Sequence, residues 1–287
     1  MGAGRPRASG RDGSVGRVAA VIGHPVGHSL SPVLHNAAFA AGGLDWTYVA
    51  FDVAPGAAAA ALDAMRTLGL GGLSVTTPHK SAVAAAVDEL APAAAALRSV
   101  NTVVRADADR LVGHSTDGDG FVDGLTASGI PVDGATVVVL GAGAAARSVI
   151  DALGRAGAGS IGVVNRTRTA AAEAAALAAM AHVGEAEEVA GADIVVNATS
   201  VGMGTDELPL DPGLLRGTKV VADLVYHPLD TALLRAARAA GCQVVDGLGM
   251  LVHQAARQQV LWTGVRPDPA IMRAAADAEL ARRATAG

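Results

Sequence analysis

Cysteine is almost missing from this chain: Cys242 is the single one among 287 residues. That excludes an internal disulfide framework and fits a reducing compartment, so a cytoplasmic protein is expected, with Cys242 as a small core residue. Aromatic residues are only 2% of the sequence, which leaves little on which nucleic-acid bases could stack. The formal net charge is −5 and the pI about 5.9, so a nucleic-acid partner is not expected. No uninterrupted apolar run reaches transmembrane length, and no membrane association is expected. The first residues are basic and glycine-rich without the apolar core of a signal peptide; residues 1–14 are expected to form a disordered tail. Metal-ligand spacing is missing too. His24, His28, His35 and His79 read as scattered over loops, with no cysteine or paired carboxylate beside them. Internal repeats are not found.

What is present is a globular composition, 51% hydrophobic and 17% charged, long enough for one large or two ordinary domains. The chain is organised around Thr136 to Arg168. Val137 to Leu140 is a short apolar run that reads as a buried parallel strand. It is followed by Gly141-x-Gly143-x-x-Ala146. The first glycine permits the tight turn, the second lets backbone approach a pyrophosphate, and the small third residue lets helix and strand pack closely. An Ala/Leu helix, Ala144 to Ala156, and a strand, Ser160 to Asn165, complete the unit. The strand runs into Asn165-Arg166-Thr167-Arg168. A carboxylate at this point accepts from a ribose 2′-hydroxyl, whereas arginines suit a 2′-phosphate, so the expected dinucleotide is NADP.

Before this unit, Arg17 to Ile22, Trp46 to Val53 and Leu73 to Thr76 read as strands, and Pro55 to Leu68 as a helix. Strands alternating with helices predict a parallel α/β sheet whose polar residues gather at the strands' carboxyl ends. Ser29 and Ser31, two apart in extended chain, would point the same way and suit a polyol or carboxylate; Ser31 also reads as the N-cap of a helix with Pro32 in its first turn. Lys80 begins a helix, where its charge opposes the dipole. Ser99 to Arg105 reads as a strand carrying Asn101, Leu111 to His114 as its hairpin partner, and Asp107 and Asp109 as turn residues. Asp117 has two readings, a helix cap and a functional carboxylate. Glu173 to Ala181 is expected to be helical, Asp193 to Asn197, Lys219 to Asp223 and Gln243 to Val245 strands, and Thr231 to Ala240 a helix. A long helix to about Trp262, with Gln254 expected on its polar face, precedes a closing helix from Ala270 to Ala284.

In this order and spacing, the polar motifs resemble the shikimate dehydrogenase family over nearly the whole chain. They are Ser29-x-Ser31-Pro32 with His35-Asn36, Thr76-x-Pro78-x-Lys80, Val100-Asn101-Thr102, Thr116-Asp117-Gly118 and Gly141 to Ala146. Asn165-Arg166-Thr167, Asn197-Ala198-Thr199-Ser200, Asp223-x-x-Tyr226 with Thr231, and Gly247-x-Gly249-Met250 with Gln254 continue the series. The resemblance implies an α/β protein of two domains. A substrate-binding domain would span 15–117 plus 248–287, the C-terminal helices returning to it, and a Rossmann NADP-binding domain 118–247. It implies reversible NADPH-dependent reduction of 3-dehydroshikimate to shikimate in aromatic amino-acid biosynthesis, by a monomer or homodimer. Lys80 and Asp117 would be the catalytic pair. Ser29, Ser31, Thr76, Asn101, Tyr226 and Gln254 would bind substrate. Gly141, Ala142, Gly143, Ala144, Ala145, Ala146, Asn165, Arg166, Thr167, Arg168, Thr199, Ser200, Val225, Gly247 and Met250 would hold the cofactor, with no metal. Two positions depart from the family's usual pattern: Ser74 and Ser115 stand where asparagine is usual. Ser74 is expected to be tolerated; Ser115 makes a quinate or aminoshikimate dehydrogenase an alternative, and a non-catalytic nucleotide-binding regulatory module is the reading from another class.

Overall fold

Short β-branched runs closed by glycine or polar residues become strands, and these collect into two six-stranded sheets. The computed structural model describes residues 16–107 and 110–286; the expected tail, residues 1–14, and Asp109 lie outside the described residues. The first sheet holds β1 (Arg17–Gly23), β2 (Trp46–Asp52), β3 (Gly72–Val75), β4 (Glu89–Leu90), β5 (Thr102–Arg105) and β6 (Leu111–His114). Their order is β2-β1-β3-β5-β6-β4. Strand β1 runs parallel to β2 and β3, while β5 pairs antiparallel with both β3 and β6, so this sheet is mixed rather than wholly parallel. Helices α1 (Ser31–Ala41), α2 (Ala58–Leu68), α3 (Lys80–Ala86) and α4 (Pro92–Leu97) fill the connections.

Helix α5 (Asp117–Ala127) leads into the second sheet. Its elements are β7 (Thr136–Leu140), α6 (Ala144–Arg155), β8 (Ser160–Val164), α7 (Arg168–Ala175), β9 (Ala181–Val183), β10 (Ile194–Asn197), β11 (Val220–Asp223), α8 (Ala232–Ala239) and β12 (Gln243–Val245). All pair in parallel in the order β12-β11-β10-β7-β8-β9. That is a doubly wound Rossmann sheet whose strand order reverses between β7 and β10, where such sheets bind ligands. Two layers of apolar side chains cover it, one around Val137, Val149 and Ile161, the other around Val138, Val195 and Leu233.

Helices α9 (Gly247–Thr263) and α10 (Pro269–Ala286) return to the first sheet. Leu30 and Leu34 from the start of α1 pack with Val252, Met272 and Ala276, and the Trp262 indole donates to the Val103 carbonyl of β5 at 3.1 Å. Helix α5 is pressed against both α6 and α9. A Cβ on Gly118 would stand 1.9 Å from the Ser148 carbonyl oxygen, and one on Gly120 2.4 Å from the Gln254 nitrogen. Only glycine permits that approach.

Four local expectations change. The alanine-rich helix ends at Ala175, and Ala181–Val183 becomes edge strand β9 paired with β8. An Ala/Glu/Leu run carries no stop signal, so sheet pairing, not propensity, ends the helix. Ser31 is the first residue of α1 and caps nothing; Leu30 holds the cap position, and the Ser31 N–H donates to Ser29 Oγ at 3.2 Å. Asp117 likewise opens α5 without capping it. His35 lies inside α1, fully buried, not in a loop. Cys242 is buried, as expected.

Candidate active site

The carboxyl end of β1 runs into the Ser29 loop, β3 delivers Thr76 and the start of α3, and β11 delivers Tyr226. Helix α5 brings Asp117 and α9 brings Gln254. All eight residues expected to act on the substrate line one cavity of about 220 Å³: Ser29, Ser31, Thr76, Lys80, Asn101, Asp117, Tyr226 and Gln254. Gln254 is therefore not on the solvent face of its helix; it is only 7% exposed, because the α5 glycines draw α9 over the cavity.

Lys80 Nζ donates to Asp117 Oδ2 at 2.6 Å, and Asn101 Nδ2 donates to Asp117 Oδ1 at 2.6 Å. The two carboxylate oxygens thus have different partners, one ammonium and one amide. The pair is largely withdrawn from solvent, with side chains 22% and 14% exposed. Asn101 is itself held from behind: its Oδ1 accepts from the Thr116 N–H at 2.9 Å and the Thr102 hydroxyl at 2.8 Å. An ammonium fixed against a carboxylate in a small, partly dry cavity can stabilise developing negative charge on a substrate oxygen and give it a proton. Tyr226 is half-buried at the rim, and burial raises its phenol above the ordinary range against the opposing charge of Arg283.

Sequence reasoning missed a second array behind the cavity. The Tyr48 hydroxyl donates to Ser74 Oγ at 2.6 Å, and Ser74 Oγ donates to Gln258 Oε1 at 2.8 Å. Gln258 Nε2 donates to the Thr102 hydroxyl at 3.0 Å, and the His35 Nε2 lies 3.2 Å from Gln258 Oε1. Burial lowers the His35 pKa from 6.5 to about 3 and raises the Tyr48 phenol well above its ordinary value. The signal available was the departure at Ser74, whose shorter side chain lines the cavity. Ser115, the other departure, does not.

The second sheet meets the cavity at its switch point. Gly141 has φ +109°, and a Cβ there would lie 3.1 Å from the Ala198 carbonyl oxygen. A Cβ on Gly143 would meet nothing within 4 Å, so backbone at the start of α6 is open to a ligand. Gly143 caps α6 with no side chain, leaving first-turn N–H groups for an anion. These features fit the pyrophosphate of a dinucleotide. Ala145, Gly247 and Met250 line the cavity itself, and Lys80 lines both the cavity and a groove beside Gly143 and Ala144. Asn197 Oδ1 accepts from both the N–H and the hydroxyl of Thr199, at 3.1 and 2.7 Å. Asp223 accepts from Asn197 Nδ2, the Val225 N–H and the Thr231 hydroxyl. The Asn197, Asp223 and Thr231 motifs therefore brace the loops carrying Thr199, Ser200 and Val225. At the end of β8, Asn165 Nδ2 donates to the Thr167 carbonyl at 3.0 Å. Arg166 is exposed, whereas Arg168 pairs with Glu185 at 2.5 Å.

Fold and site together define a two-sheet Rossmann enzyme in which a dinucleotide turn opens onto a small polar cavity with a lysine–aspartate pair. The chain matches the family profiles described as "Shikimate dehydrogenase substrate binding domain" over residues 21–103, "Shikimate / quinate 5-dehydrogenase" over 126–203 and "Shikimate 5'-dehydrogenase C-terminal domain" over 247–276. It is 47% identical to the shikimate dehydrogenase (NADP(+)) of Moorella thermoacetica, covering 88% of this chain and 90% of that protein. The shikimate 5-dehydrogenase of Thermus thermophilus, solved with NADP(H) and shikimate, is 40% identical with a TM-score of 0.85, covering 91% of this chain and 98% of that one. A quinate dehydrogenase from Corynebacterium glutamicum, solved with NAD, is 33% identical with a TM-score of 0.83, covering 90% and 98%. The chain belongs to the shikimate dehydrogenase family.

Proposed function

We propose that this protein is an NADP-dependent shikimate dehydrogenase, interconverting 3-dehydroshikimate and shikimate in the shikimate pathway. The observation that carries the site assignment is the Lys80–Asp117–Asn101 array inside a cavity that also receives Ala145 from the nucleotide turn. Bound NADPH supplies the hydride for the substrate carbonyl carbon; the protein supplies position and charge. Ser29 and Ser31 take the substrate carboxylate at one end of the cavity. Thr76, Asn101, Tyr226 and Gln254 surround the ring and its hydroxyls. Lys80 meets the negative charge that builds on the carbonyl oxygen and delivers a proton to it from Nζ; Asp117 keeps that nitrogen in place. In the reverse direction the same nitrogen, once neutral, takes the hydroxyl proton.

On the cofactor side, the Gly141–Ala146 turn holds the pyrophosphate, and Asn165 to Arg168 take the adenosine end. Arg166, with no ion-pair partner among the described residues, is free to fork onto the 2′-phosphate. Thr199, Ser200, Val225, Gly247 and Met250 bound the route to the cavity. The substrate domain comprises 15–117 plus 248–287 and the Rossmann domain 118–247, acting as a monomer or homodimer in the cytoplasm. Among the described residues no helix is long and apolar enough to cross a membrane.

The second reading, a quinate or aminoshikimate dehydrogenase, comes from the departure at Ser115, which does not line the cavity. Ser74 does line the cavity, with its hydroxyl held between Tyr48 and Gln258. Steady-state kinetics with shikimate and quinate, each with NADP⁺ and NAD⁺, decide between the two. The highest kcat/KM for shikimate with NADP⁺ supports the first reading; preference for quinate overturns it.

A further inference from the structure

Arg98 follows α4 in the left-handed conformation, φ 49° and ψ 41°. It is the one non-glycine residue with positive φ among the described residues. Its N–H closes α4 onto the Ala94 and Ala95 carbonyls, a task for which glycine is the relaxed choice. Backbone geometry alone would thus favour glycine here, and what arginine adds is a side chain. That side chain is exposed and lines the groove beside Gly143 and Ala144, a space of about 450 Å³.

The groove is strongly one-signed. Lys80, Arg98 and Arg147 line it and no acidic residue does. Lys80 is matched by Asp117, but neither Arg98 nor Arg147 has an ion pair or hydrogen bond with a side chain among the described residues. The start of α6 adds the positive end of a helix dipole to the same space. Helices α4 and α6 lie against each other across the cleft, so Arg98 stands on the opposite wall from the Gly141–Ala146 turn. Unneutralised guanidinium and helix N–H groups facing one groove suit a dianionic pyrophosphate.

We propose that Arg98 is a cofactor-binding residue supplied by the substrate-side domain, its guanidinium gripping the dinucleotide pyrophosphate from across the cleft. The inference rests on the NADP reading above. It makes the cofactor a tie between the two sheets, and it separates Arg98 from Arg166: the pyrophosphate is common to NADP and NAD, the 2′-phosphate is not.

The test is fluorescence titration of the wild type, Arg98→Gly and Arg98→Gln with NADPH and NADH, without substrate, and competition by adenosine 2′-monophosphate. Both variants should weaken NADPH and NADH about equally, each by roughly tenfold, the scale of one charge-assisted contact. Neither should change binding of adenosine 2′-monophosphate. Arg98→Gly should also raise the melting temperature of the free protein, since glycine is unstrained there; Arg98→Gln, which keeps the strained backbone, should not. Unchanged NADPH and NADH affinity in both variants would overturn the proposal. A loss confined to NADPH, or shared by adenosine 2′-monophosphate, would move Arg98 to the 2′-phosphate and also overturn it. A wild type that binds neither dinucleotide would instead sink the NADP reading, and the proposal with it.

Discussion

Asn101→Ala should damage stability and turnover together, because one amide serves both. Behind the site, Asn101 Oδ1 accepts from the buried Thr116 N–H at 2.9 Å. Removing it orphans that donor, at a cost of about 1–3 kcal/mol. The Thr102 hydroxyl loses its 2.8 Å acceptor but keeps Thr116 Oγ1 at 3.4 Å, so its share is smaller. A net destabilisation of about 3 kcal/mol follows. In front, Asp117 Oδ1 loses the 2.6 Å donor that fixes the carboxylate plane. Losing a hydrogen bond to a charged group, worth about 1.5–3 kcal/mol, should lower kcat/KM roughly 10- to 100-fold. Urea unfolding gives the first number and steady-state shikimate oxidation the second, with NADPH titration as the control that should not move. A variant as stable as the wild type would show that Asn101 does not brace Thr116. Full kcat/KM in a destabilised variant would show that Asp117 does not need the amide.

Three further outcomes are expected. Gly118→Ala places a Cβ 1.9 Å from the Ser148 carbonyl oxygen; α5 and α6 must separate, and unfolding free energy should drop by about 3 kcal/mol or more, which a melt comparing it with Gly143→Ala would reveal. His35 is neutral when folded, its pKa lowered to about 3 from 6.5 by burial. Its stabilising contribution is therefore complete above pH 6.5 and is lost as pH falls toward 3, at about 1.4 kcal/mol per pH unit. His35→Phe should flatten the stability–pH slope in that window by one proton, and an unchanged slope would contradict the assignment. Arg166→Ala should raise KM for NADP⁺ more than tenfold with little effect on NAD⁺; equal effects would remove Arg166 from 2′-phosphate recognition.

Legibility of the fold followed the local chemistry. Five strands of the second sheet were readable because each is rich in β-branched residues and ends in a glycine or polar motif, and Gly141-x-Gly143 marks the turn after β7. The β9 edge was not, because residues 169–181 are mostly alanine and only pairing with β8 decides where the helix stops. The antiparallel pairing of β5 between β3 and β6 also has no local signature. For the site, Lys80, Asn101 and Asp117 come from three separate stretches of chain, and their meeting at one carboxylate is visible only in space. Gln254 looked like a surface residue because helical polarity cannot tell water from a polar cavity. The Tyr48–Ser74–Gln258–His35 array joins α1, β2, β3 and α9, and nothing within any one segment announces it.

In the proposed mechanism the Lys80 ammonium, fixed by Asp117, delivers the proton at the substrate oxygen. Lys80→Ala removes that ammonium, and kcat for shikimate oxidation and the NADPH dissociation constant are measured on the same preparation. A fall in kcat of about 10³-fold is expected, within the range for a lost general acid, with NADPH affinity held within about threefold. Turnover close to that of the wild type, with NADPH still bound, would contradict it.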